Sequence, residues 1–327
     1  MNIAVIFGGK SPEHEISRRS AANVLKWLDK DKYEVSKIGI TKKGRWYLTE
    51  AGYEEIEDGT WEQHDGNKQV CFPSDPVVHG MLIFETSDHA SVKRIDVAIP
   101  VLHGAHGEDG DIQGLLNLSE IPYVGPGVAA SANGMDKSIT KKLVATTGIR
   151  QADYVVINKH EYNADREKEL ARVKEKFGGS YTLFVKPASA GSSVGASGIK
   201  GEEELSTAVE LALKYDSKAL IEEKIVGREI EVAVLGNDAA EASDPGEIIS
   251  AGEFYDYDSK YSNPESMTMI VKDLSREKID DIRSKALQIY KVMDCKGLSR
   301  VDFFYTEDGE VVFNEINTLP GFTNISM

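Results

Sequence analysis

Four residues near the C-terminal end of the chain have the types and spacing to hold a cation and an oxyanion. Arg300 and Asp302 lie in one strand-like run, Leu298–Tyr305, and Glu315 and Asn317 close another, with Asp308-Gly309 between them. An Asp-Gly pair between two such runs predicts a hairpin. With that pair at the tip, Asp302 falls opposite Glu315 and Arg300 opposite Asn317. Side chains alternate faces along a strand, so all four project from one face. Directly opposed carboxylates repel, and a divalent cation removes that penalty. Mg2+ takes oxygen ligands, commonly one or two carboxylates together with nucleotide phosphates. Arg300 offers a fork of donors to a phosphate or an oxyanion. A solvated polar face of an ordinary hairpin is the competing reading, and a bulge would break the register.

A second candidate follows Lys186-Pro187, where Ala188-Ser189-Ala190-Gly191-Ser192-Ser193-Val194-Gly195 are all small or uncharged. Small residues let backbone N–H groups close on an anion, and a lysine at the strand end adds a point charge. A plain surface loop remains the alternative. Gly9-Lys10-Ser11 imitates the tail of a P-loop, but the glycine that the pattern needs is Ala4, inside an apolar run. No Gly-x-Gly-x-x-Gly opens this loop, so a dinucleotide site is unsupported. Glu13 and Glu15 fall in the first turn of a helix, where they offset its dipole or hold a substrate ammonium. His103 and His106 share a loop that lacks further ligands for zinc. Lys137, after Met135-Asp136, reads by itself as a solvated helix lysine.

These residues need positioning elements. Ile3–Phe7 is a continuous apolar run ended by Gly8-Gly9, the pattern of a buried parallel strand. Ser11-Pro12 reads as an N-cap with proline at the first helical position, and the helix runs to about Leu28. Tyr33–Ile40 and Val97–Leu102 are further strands, and Gly44-Arg45-Trp46-Tyr47 suggests a hairpin. Residues 50–75 are polar and read as loop. Alternating strand and helix predicts a parallel α/β sheet in this first part. Leu183–Val185, Ala219–Glu222 and Glu229–Leu235 read as strands, Glu203–Lys214 and Arg276–Met293 as helices.

Composition narrows the function. With 54 acidic against 38 basic residues, the net charge of −16 argues against a nucleic-acid partner. Cys71 and Cys295 match no metal spacing or disulfide framework, which fits a reducing compartment. No signal peptide is read at the N-terminus, and no apolar run approaches a membrane span. A cytoplasmic protein without a membrane partner is expected.

Taken together, the segments resemble the D-alanine–D-alanine ligase family of ATP-grasp carboxylate–amine ligases. The resemblance is carried in order by Phe7–Ser17, His103–Gly110, Met135-Asp136-Lys137, Lys186–Gly195, Phe254–Tyr261, Arg300-Val301-Asp302 and Asn314–Thr323. It implies an α/β chain with the ATP-grasp fold: an N-terminal parallel α/β substrate domain (1–125), a central ATP-grasp domain (126–226) and a C-terminal ATP-grasp domain (227–327). It implies ATP-dependent joining of two D-alanine molecules through an acyl phosphate, for peptidoglycan precursor synthesis. Glu15 would bind the first ammonium, with His103 nearby. Ser192 and Tyr261 would link to Glu15. Arg300 and the backbone of Gly321 would stabilise the oxyanion, and Ser326 and Met327 would hold the second substrate. Lys137, Lys186, Ser193, Glu222, Ile225, Glu229, Lys260 and Phe313 would contact ATP. Asp302, Glu315 and Asn317 would bind two Mg2+, with Mn2+ as a substitute. A homodimer and a lid over Phe254–Tyr261 are also implied.

Three places depart from the family pattern. Val271-Lys272-Asp273-Leu274 stands where Pro-Ala precedes a leucine, and Glu223-Lys224 is doubly charged in the hinge. The family also continues past the position of Met327 into a final helix, which is expected to be missing from the chain. The alternatives are a D-alanine–D-serine ligase or a non-catalytic ATP-binding protein of the same fold.

Overall fold

The structure is a computed structural model that describes residues 1–191, 194–249, 267–323 and 326. Three sheets carry the chain. The first has the order β6-β5-β4-β3-β2-β1-β7. Its strands are β1 (Asn2–Gly8), β2 (Glu34–Ile40), β3 (Trp46–Thr49), β4 (Lys68–Cys71), β5 (Gly80–Thr86), β6 (His89–Arg94) and β7 (Val97–Val101). Only β2, β1 and β7 run parallel. The rest is an antiparallel extension, so the expectation of a parallel sheet holds for its centre alone. Residues 50–75, read as loop, contain helix α2 (Tyr53–Asp58), a short 3-10 turn and β4. The reason lies in burial. β1 is covered on both faces and is apolar from Ile3 to Phe7, whereas β6 is largely exposed and carries polar residues. A half-solvated sheet gives a weaker pattern.

Helix α1 (His14–Trp27) leaves the tip of β1. Ser11 is not its N-cap. Its hydroxyl accepts from Glu13 N–H at 3.2 Å and donates to the carbonyl of His103 at 2.6 Å, so it ties the first loop to the loop after β7. Helix α3 (Asp111–Leu118) follows that second loop.

The second sheet is antiparallel, in the order β10-β9-β11-β8. It comprises β8 (Tyr154–Asn158), β9 (Leu183–Pro187), β10 (Ser197–Ile199) and β11 (Lys218–Glu223). After β8 come the short helix α6 (Lys159–Ala164) and then α7 (Arg166–Lys176), and α8 (Glu202–Tyr215) comes before β11. Val155, Ile157, Val185 and Ile221 share a core with Val173 of α7 and Leu205 and Val209 of α8. The alternate positions Tyr154, Phe184, Lys186 and Glu222 belong to the other face.

The third sheet follows the path β15-β14-β12-β16-β17, with β13 paired to β12. Its strands are β12 (Arg228–Leu235), β13 (Glu241–Ala242), β14 (Gly246–Ile249), β15 (Met267–Ile270), β16 (Leu298–Tyr305) and β17 (Val311–Asn317). Ile230, Val232, Val301 and Phe303 pack on Ile282, Ala286 and Ile289 of α9 (Arg276–Val292). Helices α4 (Val128–Met135) and α5 (Lys137–Ala145) add Ala130 and Val144 to this same core. Among the described residues no helix is long and apolar enough to cross a membrane.

Candidate active site

The hairpin brings its four polar residues together as the spacing predicts, but by a different route. Arg300 pairs with Asn317 and Asp302 with Glu315. The tip is one residue longer than a two-residue turn. Thr306 and Glu310 close it, and Gly309 takes the left-handed conformation at φ +85°. Nearer the tip, Phe303 therefore pairs with Phe313 rather than Asn314, and the register shifts between Asp302 and Phe303. Asn314 is the extra residue of a bulge. Two offsets cancel, and the carboxylates face each other after all.

The bulge also corrects the placement of Phe313. Strict alternation would set Phe313 on the same face as Glu315. Instead it lies in the core, 1% exposed and edge-on to Phe303, so it offers no surface to a nucleotide.

Arg300 donates from Nε and Nη2 to the two oxygens of Asp302, both at 2.8 Å, and Nη2 lies 3.0 Å from Glu231. Burial opposes its charge, but Asp302 and Glu231 outweigh that and push its pKa up. The Asn317 amide donates to Asp302 at 2.8 Å. Glu315 lies 3.5 Å from the Lys137 ammonium. Asp302, Glu315 and the Asn317 carbonyl form an all-oxygen donor set on one rigid hairpin, which fits a hard divalent cation.

Lys137 opens α5, and the Asp136 carboxylate before it caps the helix. Its ammonium donates to the carbonyl of Ala190 at 3.1 Å, in the small-residue loop. Lys186, at the end of β9, lies 2.6 Å from Glu222. Burial disfavours the Lys186 cation, but Glu222 and Glu315 overcome it and raise its pKa.

The opposite wall comes from the first sheet. His103 is buried between the carbonyl of Leu319 (Nδ1, 3.1 Å) and the hydroxyl of Ser20 (Nε2, 3.0 Å). Burial lowers its pKa to about 4, so it is neutral. The carbonyl requires the proton on Nδ1, and Ser20 then donates to Nε2. Ser20 in turn accepts from Phe322 N–H at 3.0 Å, and Asn23 donates to the Phe322 carbonyl at 2.8 Å. Gly321 and Ser326 follow on this loop, where Ser326 Oγ accepts from Thr323 N–H at 3.0 Å.

Glu15 does not reach the cavity; it forms a surface ion pair with Lys42. Glu13 does line it. Its carboxylate sits so close to two loops that a Cβ on Gly104 or Gly191 would come within 2.3 or 3.0 Å of it. The carboxylate delivered by the start of α1 is thus Glu13. Helical phase holds the signal: Glu13 shares a stripe with the buried Ile16, Ser17 and Ser20, and Glu15 does not. Glu108 also lines the cavity and accepts from Gly104 N–H at 2.7 Å. Burial and the neighbouring Glu13 push its pKa up to about 8.

One cavity therefore collects Glu13, His103 and Glu108, then Lys137, then Arg300, Glu315 and Asn317, then Gly321 and Ser326. Asp302 lines a small adjoining space with Glu229 and Glu315. Glu222 is buried behind Lys186, and Ile225 lies half-buried just past β11. Ser192, Ser193, Lys260, Tyr261 and Met327, with the whole Phe254–Tyr261 segment, lie outside the described residues.

Two family models cover this architecture: D-ala D-ala ligase N-terminus over residues 2–126 and D-ala D-ala ligase C-terminus over residues 143–327. The chain belongs to the D-alanine–D-alanine ligase family. Within it, the D-alanine–D-alanine ligase of Clostridium novyi (strain NT) is 47% identical over 326 residues, 99% of this chain and 90% of that protein. That of Acetivibrio thermocellus is 48% identical, covering 99% of this chain and 89% of that protein. Among solved structures, the VanG D-Ala:D-Ser ligase from Enterococcus faecalis superposes with a TM-score of 0.90 at 37% identity, over 100% of this chain and 92% of that one. The D-alanine–D-alanine ligase from Coxiella burnetii gives 0.85 at 36% identity, over 100% and 88%. Membership makes the chain an ATP-dependent ligase of the ATP-grasp fold.

Proposed function

We propose that the cavity joins two D-alanine molecules and that its two walls divide the work. The carrying observation is the meeting of Glu13, neutral His103 and Arg300 beside the opposed pair Asp302 and Glu315. Glu13 receives the ammonium of the first D-alanine. The carboxylate oxygen of that D-alanine, not of Glu13, attacks the γ-phosphorus of ATP, the bond to the bridging oxygen breaks, and a D-alanyl phosphate and ADP result. Lys137 and Lys186 hold the phosphates and offset their charge. Mg2+ held by Asp302, Glu315 and Asn317, or Mn2+ in its place, would neutralise further phosphate charge.

The second D-alanine then attacks the activated carbonyl with its free amine. The tetrahedral oxyanion gathers donors from Arg300 and the Gly321 backbone, which act strongly because they are fixed before the charge develops. Phosphate leaves with the proton that the amine nitrogen sheds, and the amide remains. Ser326 and Met327 hold the second carboxylate. Ser192 and Tyr261 link to Glu13, Ser193 and Lys260 contact ATP, and Glu222, Ile225 and Glu229 line the adenine and ribose pocket. The Phe254–Tyr261 segment shields the acyl phosphate from water. These last roles, a homodimeric assembly and a cytoplasmic location rest on the family resemblance.

Structural likeness to a D-Ala:D-Ser ligase supports D-serine as an alternative second substrate, since a small pocket rejects one added hydroxyl poorly. The test is Mg2+-dependent ADP release with D-alanine, with D-alanine plus D-serine, with D-alanine plus D-lactate, and with L-alanine. Turnover on D-alanine but not L-alanine supports the reading. A mixed dipeptide formed faster with D-serine moves it to the alternative. A folded, ATP-binding protein without turnover on any of them overturns it.

A further inference from the structure

Lys141 is among the largest fully buried side chains in the molecule, 1% exposed, and the reaction above gives it no task. It projects from α5 against the face of the second sheet that carries Tyr154 and Glu222. Its ammonium lies 2.6 Å from Glu222 Oε1, donates to the Ala152 carbonyl at 3.3 Å and sits 5.2 Å from the centre of the Tyr154 ring. Lys186 holds the other oxygen of the same carboxylate, also at 2.6 Å. One glutamate is thus clamped between two lysines, each oxygen taking one.

The arithmetic of charge makes this arrangement informative. A buried Lys186–Glu222 pair alone would be neutral, with its attraction spent internally. With Lys141 on the far oxygen, the three groups together carry one net positive charge. Buried lysines are costly to charge, and a hydrophobic residue would fill the same space more cheaply. We propose that Lys141 is a positioning residue for the nucleotide: it occupies Glu222 so that the Lys186 ammonium keeps a net charge to present to phosphate. This rests on the reading of Lys186 as a phosphate ligand.

The test measures ATP binding by calorimetry, steady-state KM for ATP and for D-alanine, and thermal unfolding, for Lys141→Met, Lys141→Gln, Lys141→Arg and Lys186→Met. Lys141→Met is expected to weaken ATP by about tenfold and to leave the D-alanine KM within about twofold. Lys141→Arg should restore ATP affinity. Lys141→Gln keeps a hydrogen-bond donor for Glu222 without the charge, so it should weaken ATP as Lys141→Met does, and it reports even where Lys141→Met fails to fold. ATP affinity unchanged in folded Lys141→Met overturns the proposal. So does a Lys141→Arg variant that is folded but binds ATP no better than Lys141→Met or Lys141→Gln. If Lys186→Met itself binds ATP normally, the phosphate-site reading fails instead, and the two failures are told apart.

Discussion

At the scale of single residues, the start of α1 separates two glutamates two positions apart. Glu13 faces the cavity and Glu15 pairs with Lys42 at the surface. Glu13→Gln is expected to lower kcat/KM for D-alanine by at least about a hundredfold, whereas Glu15→Gln changes it less than about threefold; steady-state kinetics on the two variants checks this. Residue types alone could not choose between the two, and the family motif contains both. Only the helical phase, fixed by Ile16, Ser17 and Ser20, decides. Glu108 carries a second prediction. Its folded pKa of about 8 lies above the ordinary 4.5, so the folded state keeps a proton that the unfolded chain releases. Its contribution to stability therefore falls as pH rises from about 4.5 to about 8 and is level above that. His103 acts at the acid end, because its folded pKa of about 4 lies below 6.5, and stability is lost as pH falls through that interval. Glu108→Gln should gain in Tm relative to the parent as pH rises from 5 to 8, measured by calorimetry across about that range. A parallel pair of Tm curves would refute it.

At the scale of elements, the hairpin shows how far a sequence can be read. The Asp308-Gly309 signal and strand alternation locate Asp302 opposite Glu315, and the structure agrees. The reading succeeds because the three-residue tip and the bulge at Asn314 offset each other, which alternation cannot foresee. Phe313 shows the residual error, since the bulge turns it from the polar face to the core. The same logic makes a prediction about shortening the hairpin. Deleting Asn314 leaves a regular ladder with Asp302 still opposite Glu315. Deleting Glu307 shortens the tip to the two-residue Asp308-Gly309 turn with Thr306 and Glu310 still paired, so Asp302 again stays opposite Glu315. Each deletion should cost at most about 1–3 kcal/mol of stability and keep measurable ADP release. Denaturant unfolding with the ADP assay checks both, and loss of ADP release from a folded deletion variant would refute the register argument. The antiparallel half of the first sheet was less legible for a different reason: β6 is largely exposed, so the pattern that marks β1 is absent there.

At the scale of the whole molecule, the cavity exists only where the first sheet meets the loop after β17. Among the described residues, hydrogen bonds from His103 to Leu319, Ser20 to Phe322 and Asn23 to Phe322 help to make that junction. None was legible as a contact in the sequence, because each joins residues about two or three hundred positions apart and no periodicity links them. Ser20→Ala removes a donor to His103 and an acceptor for Phe322, and is expected to cost about 1–3 kcal/mol. It should raise KM for D-alanine more than KM for ATP, since the nucleotide groups sit on the other wall; kinetics with each substrate varied in turn checks the split. The junction also sets an order of events during synthesis. Strands β1 and β7 and helix α1 leave the ribosome long before residues 319–322 exist, and domains generally fold as they emerge. His103 and Ser20 must therefore wait, polar groups at the rim of a finished sheet, until residues 319–322 are made. Until then the nascent chain holds half a pocket, and at roughly 5–20 residues per second the other half follows His103 by about ten to forty seconds.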